Sequence, residues 1–133
     1  MVTVFTNGCF DVIHHGHAKF LRQCRRLGDR LIVGLNSDAS VRRLKGPNRP
    51  ICNQVERWGV LEELRSVDDV ILFEEDTPCE LIKRIRPDII VKGPGYSEAN
   101  MPEAAIVREW GGRVVILDGP DLSTTKILQR IAS

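Results

Sequence analysis

All three histidines of the chain fall in one short stretch, Thr6-Asn7-Gly8-Cys9-Phe10-Asp11-Val12-Ile13-His14-His15-Gly16-His17. If a helix starts here, His14 and His17 lie on one face of its first turn. Gly16 has no Cβ, so a phosphate can approach the backbone closely. Exposed N–H groups and the positive end of the helix dipole favour an anion at the same point. Two imidazoles at such a helix start suit a polyphosphate whose charge shifts as it reacts. There are blander readings. The histidines could simply cap the helix or sit solvated. A zinc or iron site of His14, His17 and Asp11 lacks a further ligand at a distinctive spacing. Cys9 is expected to line the loop, and His15 to point elsewhere and be exposed.

Such a loop needs a strand before it and a helix after it, and the chain supplies both repeatedly. Val2 to Thr6, Arg30 to Leu35, Asp69 to Phe73, Asp88 to Val91 and Arg113 to Leu117 are largely continuous apolar runs. Strands covered on both faces read this way. Between them Ala18, Leu21, Cys24 and Leu27 recur at helical spacing, with Gly28 where a C-cap is expected. Asn53 with Glu56 predicts a capping box for a helix to about Leu64. Thr77, Pro78 and Glu80 signal another start: cap, first-turn proline and third-position glutamate. Pro87 ends that helix, Pro102 opens the next, and Gly111-Gly112 closes it. Ser123 is expected to cap a last helix, Thr124 to Ile131. The alternation predicts a single α/β domain, residues 1–133, with a doubly wound five-stranded parallel sheet of Rossmann-like type. Ligands bind such sheets beyond the carboxyl ends of the strands, where strand order reverses.

Gly8-x-Phe10-Asp11 followed by His14-x-Gly16-His17, between a strand and a helix, resembles the nucleotidylyltransferase superfamily of cytidylyltransferases and related enzymes. The resemblance implies that His14 and His17 hold phosphates and the charge on the bridging oxygen. Cys9, Phe10, Asp11 and Gly16 would form the nucleotide loop. Val41-Arg42-Arg43-Leu44-Lys45-Gly46 is similar to the family's lysine-bearing loop, with Lys45 as a mobile ammonium that follows the phosphates. Arg42, Arg43 and Arg49 are expected to be solvated or to touch the incoming phosphate loosely. Arg57 matches a position where a planar fork could hold the acceptor phosphate, a surface ion pair being the alternative. Ser123, Thr124, Thr125 and Lys126 resemble the family segment that binds the β- and γ-phosphates at the last helix.

The resemblance extends over nearly the whole chain and is strong toward the adenylyltransferase domains that make ADP-heptose. The stretches that carry it include Asn36-Ser37-Asp38-Ala39-Ser40, Phe73-Glu74-Glu75-Asp76-Thr77-Pro78 and Val91-Lys92-Gly93. Lys92 and Gly93 are thereby implied in nucleotide binding. The family usually continues Gly-Asp-Tyr, whereas this chain has Pro94-Gly95-Tyr96, so a carboxylate near base or sugar is missing. The implied reaction joins ATP to a heptose 1-phosphate, with Mg²⁺ accompanying the triphosphate. Such domains are often fused to a sugar kinase, and as this chain has no kinase half, the heptose 1-phosphate is expected from a separate enzyme. Glycerol-3-phosphate cytidylyltransferase, using CTP and a polyol phosphate, is the runner-up. It shares the Ser-Thr-Thr-Lys-Ile segment, but an arginine usually precedes that segment there. A non-catalytic nucleotide-binding module would need neither both histidines nor both lysines.

Composition narrows the classes further. Lys+Arg of 19 against Asp+Glu of 18 argues against a nucleic-acid binder. The four cysteines, Cys9, Cys24, Cys52 and Cys79, include no CxxC pair, so free thiols are expected. Val2 to Thr6 is too short for a signal peptide or a spanning helix. A cytoplasmic protein with no membrane partner is the expectation, and the resemblance implies a homodimer.

Overall fold

The apolar runs become the strands of one all-parallel sheet. A computed structural model describes residues 1–118 and 128–131. Its strands are β1 (Thr3–Gly8), β2 (Arg30–Asn36), β3 (Asp69–Phe73), β4 (Ile89–Lys92) and β5 (Arg113–Ile116). They lie side by side in the order β3-β2-β1-β4-β5, every pairing parallel. The helices are α1 (His15–Arg25), α2 (Asp38–Lys45), α3 (Gln54–Glu63), α4 (Cys79–Ile85) and α5 (Pro102–Arg108). This is the doubly wound, Rossmann-like sheet predicted from the sequence. Strand order reverses between β1 and β4, which puts the switch point at their carboxyl ends.

Alternation along β1 sends successive side chains to opposite faces. Val4 joins Leu31, Val33 and Leu35 of β2 under Leu21 and Cys24 of α1 and Leu61 of α3. Phe5 joins Ile32 and Ile90 under Leu81 and Ile82 of α4 and Val107 of α5. Central strands are thus apolar on both sides, which is why they read as unbroken hydrophobic runs. Among the described residues no helix is long and apolar enough to cross a membrane.

The Asn53–Glu56 capping box forms, and Pro102 opens α5. Other local expectations fail for identifiable reasons. Gly28 does not cap α1, which ends at Arg26 in ordinary helical geometry. Its missing Cβ serves a close approach instead. A methyl group there would lie 2.7 Å from Val4 Cγ2 and 2.8 Å from the Val2 carbonyl oxygen. Thr77 does not cap α4; Pro78 occupies the cap position without a side-chain hydrogen bond. Val41 to Lys45, expected as a loop, is the latter part of α2, whose start is capped by Ser37 through the Ser40 N–H. Two helices therefore separate β2 from β3. Of the last expected helix, residues 128–131 are described and helical; the Ser123 cap lies outside the described residues.

Because the Val2 carbonyl belongs to the backbone and cannot swing aside, Gly28→Ala should lower stability by about 1–3 kcal/mol, the usual range for overpacking. The urea midpoint should fall with an unchanged m value. An unchanged midpoint would show that the turn yields freely.

Candidate active site

β1 carries the chain to the switch point, and the loop from Cys9 to His14 turns it into α1. Phe10 and Val12 adopt φ of 47° and 51°, a left-handed backbone costing about 1–3 kcal/mol per non-glycine residue. Packing holds the loop there: the Phe10 ring is buried in the core, 5.7 Å from the His17 ring.

The two signature histidines cap the helix they begin. His14 is the N-cap, and its Nδ1 accepts from the Gly16 N–H at 3.1 Å. His17 reaches back, its Nδ1 accepting from the His14 N–H at 3.2 Å. This is a reciprocal capping box with imidazoles in place of hydroxyl and carboxylate. Their ring centroids are 4.2 Å apart. In a neutral imidazole an accepting Nδ1 leaves the proton on Nε2. The cap thus sets both rings with Nε2–H as donor. The Nε2 of His14 is buried and has no hydrogen-bond partner among the described residues. The Gly16 N–H, expected to face a phosphate, is taken up by the cap. His15 is exposed, as expected.

Asp11 lines the cleft and Arg57 does not, and both are committed to partners within the protein. The fully buried Asp11 carboxylate accepts from Arg49 Nε at 3.0 Å and from the N–H groups of Ile51 and Cys52 at 2.7 and 2.9 Å. Burial acts to raise its pKa, but the Cys52 and Ile51 amides and the Arg49 guanidinium outweigh it. The carboxyl titrates below its ordinary 3.8. Arg57, only 1% exposed, donates to the carbonyls of Cys52, Cys9 and Asn36 and to Asp38 Oδ1, all within 2.8–2.9 Å. It is a structural knot. The expectation that Arg57 holds the acceptor phosphate is therefore overturned, and so is a surface ion pair.

Beside the histidine loop opens a cleft of about 910 Å³. His17, Cys9 and Phe10 line it, with Lys45 and Arg49 on the β2 side and Lys92 on the β4 side. Lys45 is the last residue of α2, exposed, and among the described residues makes no ion pair. Arg49 is better fixed than sequence reasoning expected. Its side chain is 15% exposed, tethered through Nε by Asp11, and lines the cleft. No local signal reveals it, because the two partners are 38 residues apart. Burial pushes the Cys9 thiol pKa up, while the charges of Lys45, Arg57 and Arg49 pull it down. These cations therefore converge around the loop.

Lys92 is no free phosphate ligand. Its Nζ donates to Asn7 Oδ1 at 2.6 Å and lies 3.5 Å from Glu103 Oε2, both side chains being nearly buried. Burial lowers its pKa, opposed by Glu103. Gly93 lines the same wall, and Gly95 turns the chain at φ 94°. Glu103, which the sequence reading passed over, stands on α5 and lines the cleft. Ser123, Thr124, Thr125 and Lys126 lie outside the described residues. Among the described residues no three His, Cys, Asp or Glu side chains converge as metal ligands, and Asp11 is committed to Arg49 and the backbone.

Fold and site together define a doubly wound α/β protein with a histidine-capped helix at its switch point. The chain belongs to the cytidylyltransferase-like family, whose model matches residues 5–130. It is 54% identical over 129 residues to the bifunctional protein HldE of Syntrophotalea carbinolica, covering 96% of this chain and 26% of that protein. With the bifunctional protein HldE of Magnetococcus marinus it shares 53% over 131 residues, 98% of this chain and 27% of that one. The chain thus spans about a quarter of the length of these curated relatives. A solved lipopolysaccharide core biosynthesis protein from Thermoplasma volcanium superposes with a TM-score of 0.75 at 29% identity, over 92% of this chain and 99% of that one. An Archaeoglobus fulgidus protein of unknown function shares the fold at 20% identity, with a TM-score of 0.67 over 90% of each chain.

Arg57→Met leaves three carbonyls and Asp38 without their donor. It should cost about 3–5 kcal/mol, as removing one side of a buried pair does. A stable variant with selectively weakened phosphate binding would restore Arg57 to the ligand.

Asp11 gives a pH signature. Its folded pKa lies below the unfolded 3.8. The stability it contributes is complete above that value and is lost as pH falls through the folded one. Asp11→Asn should lower stability at neutral pH by about 1.5–3 kcal/mol, the worth of bonds to a charged group. Its stability should also change less than the parent's on acidification. Parallel pH profiles from chemical denaturation would refute this.

Proposed function

We propose that the chain is an adenylyltransferase domain that joins ATP to a heptose 1-phosphate, giving ADP-heptose and pyrophosphate. The observation that carries the reading is the imidazole capping box: it sets two Nε2–H donors at a helix start, His17 lining the cleft and the His14 Nε2 buried beside it with no partner among the described residues. A buried donor left unpaired costs about 1–3 kcal/mol, and a phosphate oxygen would satisfy it. The family membership, the half-identity to HldE and the similarity to ADP-heptose-forming domains support the choice of substrates.

In this reaction a phosphate oxygen of the sugar 1-phosphate attacks the α-phosphorus of ATP. The bond from that phosphorus to the oxygen bridging to the β-phosphate breaks, and pyrophosphate leaves with the bond's electrons. No protein nucleophile is needed, since the acceptor phosphate is already ionised. Catalysis rests on positioning and charge stabilisation. His14 and His17 donate to the phosphates, and to the bridging oxygen as charge builds on it. Lys45, on its flexible stem, follows the transferred group. Arg49 takes the role first given to Arg57, offering the acceptor phosphate a guanidinium already oriented by Asp11. Lys126 has the role that the family resemblance implies, beside the leaving pyrophosphate. Mg²⁺ would be held chiefly by phosphate oxygens and water, as suits an ion that arrives with its nucleotide, and would add charge neutralisation.

The test is a pyrophosphate-release screen of ATP and CTP against heptose 1-phosphates and glycerol 3-phosphate. ATP with a D-glycero-manno-heptose 1-phosphate should be the best pair, and His17→Ala should lower its kcat about 10²–10³-fold without unfolding the chain. Robust turnover of CTP with glycerol 3-phosphate, and none of ATP with any heptose phosphate, would overturn the assignment.

A further inference from the structure

The cleft is electrically divided. Lys45 and Arg49 line its β2 side, whereas the β4 side carries the ion pair of Lys92 and Glu103, 6% and 5% exposed. Two charges this deep are an expensive way to fill space; apolar side chains of similar volume usually do as well or better. Asn7 already supplies Lys92 with an acceptor at 2.6 Å. The feature to explain is the carboxylate, brought in from another element to the wall of a binding cleft.

An ionised carboxylate only accepts hydrogen bonds, with room for about four. Lys92 Nζ, 3.5 Å from Oε2, is its one charged partner among the described residues. Glu103 is among the residues that line the cleft. A carboxylate repels phosphate, so this wall must meet the uncharged, donor-rich part of a ligand. Sugar hydroxyls fit. The Tyr96 ring, half exposed and 5.3 Å from Lys92 Nζ, stands on the same wall and gives an apolar face for a sugar ring. Gly95 follows on the same wall. A side chain there would meet nothing within 4 Å, on a backbone at φ 94° unsuited to L residues.

We infer that Glu103, steadied by Lys92, is the hydroxyl-reading residue of the cleft and binds the vicinal diol of a sugar. The diol has two sources, the ribose of the nucleotide or the ring of the acceptor sugar phosphate. The inference rests on the proposed transferase reading, but its test needs no turnover.

Calorimetry on the whole chain would measure Kd for ATP, 2′-deoxy-ATP and 3′-deoxy-ATP, and separately for heptose 1-phosphate. The proteins are the parent, Glu103→Gln and the double variant Lys92→Met/Glu103→Leu. The double variant removes both charges, so neither is stranded in the wall. If ribose is the source, ATP should bind about tenfold or more weakly to both variants, and the parent's preference for ATP over its deoxy forms should vanish. If the acceptor is the source, the same loss should fall on heptose 1-phosphate with ATP unchanged. Kd values within twofold of the parent for every ligand, in both folded variants, would overturn the inference. So would a parent that binds none of them. A parent that binds but releases no pyrophosphate would instead refute the transferase reading, and the Kd pattern would still decide Glu103.

Discussion

One guanidinium holds the working end of this protein together. Arg57 projects from α3 and donates at once to the loop after β1, the end of β2, the start of α2 and the segment preceding α3. The first two of those segments leave the sheet at a carboxyl end, where the strand ladder no longer pairs its carbonyls. Buried carbonyls need donors, and a planar fork with five N–H groups is the one side chain that can serve several segments together. Asp11 does the complementary work from the other side, collecting the amides of Ile51 and Cys52 together with Arg49. The cleft walls are rigid because these two charged groups replace the hydrogen bonds that the sheet stops providing.

From that rigidity follows the histidine cap. Left-handed Phe10 and Val12 are tolerable only in a loop pinned by Arg57 at the Cys9 carbonyl and by Asp11 beside them. The pinned loop delivers His14 to the N-cap position, and the helix itself then sets the ring tautomers. Capping and ligand binding are usually weighed as rival explanations for histidines at a helix start. Here the two are compatible, because the nitrogen that caps determines which nitrogen carries the proton and is left to donate.

This explains which parts of the molecule were legible in the sequence. Strand positions and sheet type were, since strands covered on both faces are written as unbroken apolar runs. His14 and His17 were, since their relationship is local and survives in spacing alone. Arg57 is buried and Arg49 is tethered, neither as expected, because their partners are backbone groups or residues tens of positions away. A sequence displays such a partner only as one more arginine. The α2 helix was missed because its basic stretch reads equally well as a solvated loop, and its Ser37 cap was taken into a family stretch rather than read as a start signal. Gly28 looked like a terminator because both of glycine's uses, positive φ and close approach, look identical in one dimension.

The same long-range logic bears on how the cleft discriminates. Its cations differ in freedom: Arg49 is tethered by Asp11, whereas Lys45 is exposed at the end of α2. A fixed fork suits a group that must be aligned before attack, and a mobile ammonium suits charge that migrates during it. On the opposite wall Lys92 is neutralised by Glu103, so that side offers phosphate no net attraction. On the proposed function, a triphosphate and a sugar phosphate entering together would therefore settle with their charged ends toward β2 and α1 and their hydroxylated parts toward β4. Orientation then comes from the sign of the walls before any close contact forms. It persists only while both buried carboxylates, Asp11 and Glu103, keep their cationic partners.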